Sequence, residues 1–405
     1  MHVIFDAGST GSRVHVFRFS SDMDLLKIGD EFEYYEAIKP GLSSYADDPE
    51  AAALSLEPLL LNGEAVVPEE LRPQTPLKLG DRILASVLVI IIEFNVRDLF
   101  KTKSSLEYKA EWVSILDGSE EGSYMWIAIN YLLGKIGKPY SDTICTIDLG
   151  GGSVQMAYAI SQENAANAPN TSNDGEPYIH EKRLKGTKYY LYVYSYLYYG
   201  LMAARAEILN VSKNSSSPCI VDGYDGFYSY GGVDYKASSP PSGSSYEGCR
   251  EVTLQALKVD VPCKYDYDEC TFNGTWSGGG GEGRNNICIA SYFFDIAKGV
   301  DIISQDVSSA TIRPIDFANA AKVACETKYE DAASKYPNIY DEDIPYVCLD
   351  LVYEYSLLVD GFGLYPYENV TLVNQIDYKG TQIGAAWPLG AAIDLVSSDS
   401  SLTNY

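Results

Sequence analysis

Two stretches of this 405-residue chain combine carboxylates with glycines at a spacing that suits phosphate chemistry. The first reads Asp6-Ala-Gly8-Ser9-Thr10-Gly11-Ser12-Arg13, the second Asp148-Leu-Gly150-Gly151-Gly152-Ser153-Val-Gln155. Glycines in a tight turn expose backbone N–H groups that can face an anion, and Asp at a strand end offers a carboxylate to a hard cation or its waters. Either turn alone is an ordinary Gly-rich connection. The two together, so alike and so far apart, point to a duplicated domain with phosphates held in the cleft between the copies.

The flanking patterns decide which elements carry these turns. His2-Val-Ile-Phe-Asp6 and Thr143-Ile-Cys-Thr-Ile-Asp148 are apolar strands running into the turns. Val14-His-Val-Phe-Arg-Phe19 and Val154-Gln-Met-Ala-Tyr-Ala-Ile160 are strands running out. Each motif is therefore strand–turn–strand. A Walker loop or a dinucleotide fingerprint must open a helix, and no Gly-Lys-Ser/Thr occurs, so both are excluded. Helical periodicity appears over 48–61, 124–133, 316–329 and 344–359, and over 384–397 with Pro388 as an interruption. The glycine run 278–281 marks a loop.

Composition narrows the partners. Lys and Arg total 30 against 56 Asp and Glu, a formal charge of −26 that repels nucleic acid and anionic membrane. A bound anion must then be held by local devices such as N–H groups or a metal ion. His2, His15 and His180 are too scattered for zinc, and no Cys-x-x-Cys occurs. Of eight cysteines, all but Cys145 lie between 219 and 348, a clustering that suits disulfides in an oxidising compartment. Cys145 and Cys288 read as buried or free thiols. Sequons at Asn170, Asn210, Asn214, Asn273 and Asn369 favour the secretory route, to an extracellular or endomembrane lumen. No leader precedes the first strand, so an N-terminal segment is expected to be missing, and membrane attachment would need that segment. The apolar run 83–92 is too short to span a bilayer.

With those residues in view, the chain resembles a known family. Residues 3–13, Trp112-Val-Ser-Ile-Leu-Asp-Gly-Ser-Glu120-Glu121, Ile147-Asp148-Leu-Gly-Gly-Gly-Ser153-Val-Gln155 and Ala385-Ala-Trp387-Pro-Leu-Gly390 look like four conserved regions of the plant apyrases, or ecto-nucleoside triphosphate diphosphohydrolases. The resemblance implies an α/β chain of two ribonuclease-H-like (actin-like) domains with a nucleotide cleft between them. It implies hydrolysis of nucleoside tri- and diphosphates by direct attack of water, with Ca²⁺ or Mg²⁺. Glu121 matches the family's catalytic base, and Ser153 and Gln155 the residues that position the water. Asp6 and Asp148 match the carboxylates that hold the metal through its waters, and Trp387 an aromatic side chain near it. Gly8, Ser9, Thr10, Gly11, Ser12 and Arg13, with Gly150, Gly151 and Gly152, would cradle the phosphates. Phe294 matches a base-stacking position loosely; a core aromatic is the plainer reading. Glu120 reads as a solvated carboxylate. By the same resemblance Cys219–Cys249, Cys263–Cys270 and Cys325–Cys348 are disulfides.

The domains implied are 1–116 completed by 380–405, and 117–379 with the cysteine-rich lobe. One region departs. After Leu77-Lys-Leu-Gly80 the family pattern calls for Ala-Thr-Ala-Gly-Leu-Arg, whereas this chain reads Asp81-Arg-Ile-Leu-Ala-Ser86-Val-Leu-Val-Ile-Ile-Ile-Glu-Phe-Asn95. A catalytically impaired nucleotide- or glycan-binding homologue is therefore the alternative. A sugar kinase of the same architecture is disfavoured by the sequons and clustered cysteines.

Overall fold

The structure is a computed structural model describing residues 1–8, 11–45, 48–81, 87–172, 175–212, 216–263 and 270–398; for 43, 81 and 87–90 it describes backbone alone. The chain divides into two compact units. The first comprises Met1–Gly137, Arg183–Lys188 and Asp377–Tyr405, the second Lys138–Lys182 and Tyr189–Ile376.

The first unit opens with β1 (His2–Ala7) and β2 (Ser12–Phe19), an antiparallel hairpin as expected. The strands β3 (Leu25–Leu26), β4 (Glu33–Ile38), β5 (Leu77–Asp81) and β6 (Val113–Ile115) complete a sheet in the order β3-β2-β1-β5-β6, with β4 also on β2. β5 lies parallel to β1, setting Gly80 opposite Asp6. The helix expected over 48–61 is two helices, α1 (Pro49–Ser55) and α2 (Glu57–Ala65), joined at Leu56. Pro58 explains the break: lacking an N–H, it fits the first turn of a helix but not its interior. After 82–86, which lie outside the described residues, the departing segment continues as α3 (Val87–Lys103). Ile92, Val96, Leu99 and Phe100 are buried at helical spacing while Ile91 and Phe94 are exposed, so from Ile91 on the helix is amphipathic with one core face. The helix α4 (Gly118–Leu132) follows.

The second unit holds β7 (Cys145–Leu149), β8 (Ser153–Ile160), α5 (Gln162–Ala166), β9 (Ile179–Leu184) and β10 (Thr187–Leu197). Next come α6 (Leu201–Val211), the hairpin β11 (Asp225–Tyr230) and β12 (Val233–Ser238), and α7 (Tyr246–Leu257). The chain goes on through β13 (Ile287–Ser291), α8 (Tyr292–Gly299), β14 (Ser309–Ile312), α9 (Pro314–Cys325) and α10 (Tyr329–Lys335). It continues with α11 (Val347–Ser356), β15 (Val370–Val373), β16 (Gln375–Tyr378) and β17 (Thr381–Gly384). The sheet runs β14-β15-β13-β7-β8-β10-β9, parallel across β15-β13-β7 and antiparallel beyond. The helices expected over 316–329 and 344–359 are shorter, because α9 stops at Cys325 and α11 gives way to a π turn at Leu357–Gly361.

The last helix, α12 (Trp387–Ser398), belongs to the first unit, packed on α4 and β1. Pro388 does not interrupt it. It occupies the second helical position, where its missing N–H forfeits no helical hydrogen bond. Gly390 allows backbone contact with α4, since a Cβ there would meet Tyr124 O at 1.9 Å. That packing places α4 in the first unit, whereas the sequence reading assigned it, from 117 on, to the second domain.

Candidate active site

The internal echo is a repeated local structure. In the first hairpin Gly8 N donates to Gly11 O at 3.0 Å, and in the second Gly150 N donates to Ser153 O at 3.0 Å. In each the Asp lies two residues before the donor and opposite a polar residue of the outgoing strand. Asp6 faces Arg13, and Asp148 faces Gln155. Ser9 and Thr10 lie outside the described residues.

In the first unit Asp6 is buried at the end of β1, and Arg13 Nη1 is 3.4 Å from its Oδ2. Gly11 and Ser12 are buried beside them. Trp387 opens α12 with its ring over Gly80, one strand from Asp6. Its buried indole N–H has no hydrogen-bond partner among the described residues. Glu121 sits in the first turn of α4, buried, its N–H donating to Asp117 O. Asp117 caps that helix by accepting from Glu120 N at 2.7 Å and from Ser119 Oγ at 2.6 Å. The positive end of a helix favours a carboxylate there. Glu120 is not a plain solvated carboxylate: it is half-buried, and Tyr124 Oη donates to its Oε1 at 3.5 Å.

In the second unit Ser153 and Gln155 point to the same side of β8, as residues two apart on a strand must. Gln155 Nε2 donates to Ser153 Oγ at 2.7 Å and to Ser195 Oγ at 3.1 Å. Asp148 is buried and accepts from Ser291 Oγ at 2.5 Å. The turn Gly150-Gly151-Gly152 is half-buried, and α6 begins against it. Leu201 N donates to Gly150 O and Ala203 N to Gly151 O. Gly200 permits this approach, because a Cβ there would lie 2.3 Å from Ser153 N and 2.5 Å from Gly151 C. Two of the helix's orphan N–H groups are thus spent on the turn's carbonyls. The N–H groups of Gly151 and Gly152 enter no backbone hydrogen bond among the described residues.

Three residues here carry no signal in the sequence. Ser291 orients Asp148 from a φ of +60° that no sequence pattern announces. Ser195 reaches Gln155 across β8 and β10. Gly200 follows a Tyr-rich strand and looks like any connecting glycine. Phe294 is 2% exposed, in the core of the second unit. The pairs Cys219–Cys249, Cys263–Cys270 and Cys325–Cys348 are disulfides, and Cys145 and Cys288 are free and buried.

Among the described residues no three His, Cys, Asp or Glu side chains converge as a metal cage. Single buried carboxylates, Asp148 beside the Ser291 hydroxyl and Asp6 beside Arg13, instead suit a hard cation that keeps much of its water shell. Among the same residues no helix is long and apolar enough to cross a membrane.

Known proteins resemble this chain. The GDA1/CD39 (nucleoside phosphatase) family matches residues 1–404. The chain is 56% identical over 403 residues to the apyrase of Solanum tuberosum, covering 98% of this chain and 88% of that one. It is 50% identical over 400 residues to apyrase 1 of Arabidopsis thaliana, covering 98% and 85%. Among solved structures, a nucleoside triphosphate hydrolase from Neospora caninum is similar with a TM-score of 0.66 at 13% identity, covering 100% and 93%. That last likeness is one of fold, the α/β architecture of actin-like, ribonuclease-H-like domains.

Proposed function

The chain belongs to the GDA1/CD39 nucleoside phosphatase family, and from that premise we propose that it is an apyrase, removing the γ- and then the β-phosphate of nucleotides. Nucleoside tri- and diphosphates are its substrates and water is the direct nucleophile. The observation that carries this reading is the paired hairpin. Two buried aspartates each precede a turn closed by the same 3.0 Å bond, and the second turn leads into the Ser153–Gln155 pair.

Phosphoanhydride hydrolysis needs an oriented water, a base for its proton, and compensation of charge on the transferring oxygens. Glu121 takes the proton from the attacking water. Ser153 and Gln155 orient that water through a hydroxyl and an amide locked to each other. The glycine turns, with Ser9, Thr10 and Ser12, meet the phosphate oxygens through N–H and hydroxyl groups, and Arg13 adds positive charge. Asp6 and Asp148 would hold Ca²⁺ or Mg²⁺ through its waters, with the indole N–H of Trp387 as a further donor to that shell. The cation would supply Lewis-acid neutralisation of the phosphate charge beyond what Arg13 and the N–H groups provide in a protein of net charge −26. Three disulfides support an oxidising, secretory compartment. The impaired-homologue alternative is not favoured, because the match to apyrases runs through 98% of the chain.

The test is inorganic phosphate release from ATP and from ADP with Ca²⁺ or Mg²⁺, with chelator, and with Glu121→Ala. Release that needs the cation and disappears in Glu121→Ala is expected. Undiminished release by that variant would remove Glu121 from the mechanism, and absence of release from folded protein that binds nucleotide would reject the activity.

A further inference from the structure

Lys78 is a buried cation that the mechanism above does not use. It lies in β5 opposite Ile4, two residues before Gly80, so both project to the face of the sheet on which Trp387 rests. At 8% exposure its ammonium donates to Tyr124 Oη at 2.9 Å. Tyr124 Oη donates onward to Glu120 Oε1 at 3.5 Å. The phenol ring packs in stacked orientation against Trp387, with centroids 6.4 Å apart. Burial above all, then the charge of Glu120, Asp394 and Asp117, pushes the Tyr124 phenol well above its ordinary range, so it stays a neutral donor.

We propose that Lys78 is a positioning residue, fixing the first turn of α4, and hence Glu121, relative to the strand pair that carries Asp6. The relay has the required connectivity. β5 is locked in register to β1, with Gly80 beside Asp6. From β5, Lys78 reaches α4 through Tyr124, and Tyr124 reaches back one turn to Glu120, the neighbour of Glu121. A buried ammonium costs desolvation free energy that an apolar side chain of the same length avoids. Packing alone therefore does not account for a lysine here, and its hydrogen bond to the Tyr124 phenol gives it a directional tie to α4. The proposal rests on the reading of Glu121 as base.

The experiment compares steady-state phosphate release and thermal midpoints for Lys78→Met, Lys78→Arg, Tyr124→Phe, the Lys78→Met/Tyr124→Phe double variant and Glu121→Ala. Displacement of a catalytic group by an ångström can cost on the order of 10²-fold, so kcat of Lys78→Met is expected to fall by about 10- to 100-fold. KM should stay within about twofold, since phosphate binding is untouched. Lys78→Arg, which keeps a long charged donor, should recover most of the rate. Tyr124→Phe should match Lys78→Met, and the double variant should be no slower than either single. Parental kcat in Lys78→Met, additive losses, or losses that track the thermal midpoint would each overturn the relay while leaving Glu121 in place. An active Glu121→Ala would overturn both.

Discussion

Gln155 and Ser153 are joined by a 2.7 Å hydrogen bond in which the amide donates to the hydroxyl. Gln155 is 2% exposed, stands opposite Asp148 and Ser195, and donates to Ser195 Oγ as well. The amide is thus fixed from two sides, and Ser153 inherits that order. If the pair orients the attacking water, Ser153→Ala and Gln155→Ala should each slow phosphate release by about 10²–10³-fold. The double variant should be little slower than either, because residues acting as a unit lose their effect once. Single-turnover rates of the three variants check this, and fully multiplicative losses would show two independent roles.

The helix α6, which abuts the turn beneath that pair, carries a buried ion pair. Arg205 of α6 donates two bonds to Asp350 of α11, at 2.8 and 2.6 Å, and a third to Asp343 at 2.6 Å. Arg205 and Asp350 are 2% and 1% exposed. Asp350→Ala strands a buried guanidinium and should cost about 3–5 kcal/mol, nearer the low end because Asp343 remains. Urea denaturation measures it. Arg205→Met combined with Asp350→Leu should restore much of the loss, since the one carboxylate then left without its cation, Asp343, is a quarter exposed and can turn to water.

How much of this was legible beforehand depends on the range of the interaction. The two hairpins were readable because Asp, Gly and the flanking apolar strands are contiguous, and a two-residue spacing fixes which side chains share a face. The helices were readable as regions but not as limits: Pro58 split one, and Pro388 opened another instead of breaking it. What stayed hidden was long-range or conformational. Lys78 and Tyr124 are 46 residues apart, and Ser291 acts on Asp148 from 143 residues away through a left-handed backbone. Gly200 matters for the backbone it touches rather than for its neighbours in sequence.

The cysteines make a prediction that can be counted. Cys145 and Cys288 are buried, and burial pushes both thiols up to about 12, so neither forms the reactive thiolate near neutral pH. An alkylating reagent should add no label to native protein and two labels after denaturation without reductant. Denaturation with reductant should expose all eight cysteines. Intact mass reads each number directly. A native protein that takes up label would show that the strands β7 and β13 open in solution.

Glu354 carries the last prediction. It is fully buried in α11, one turn after Asp350, and neither carboxyl oxygen has a hydrogen-bond partner among the described residues. Burial first, then the charges of Asp350 and Asp295, push its pKa well above the ordinary 4.5, with Arg205 the opposing influence. The native side chain is therefore protonated where the unfolded one is ionised. The sign follows from linkage: the unfolded state binds fewer protons, so stability is complete below about pH 4.5 and falls as pH rises toward the raised native value. The slope from this one group approaches about 1.4 kcal/mol per pH unit across that window. Glu354→Gln keeps a neutral side chain of the same shape and removes the titration. Its thermal midpoint should exceed the parent's at pH 8 by about 2–4 °C for each kcal/mol recovered, and match it near pH 4.5. A variant whose midpoint runs parallel to the parent's from pH 4.5 to 8 would show that Glu354 ionises in the native protein, with a compensating partner.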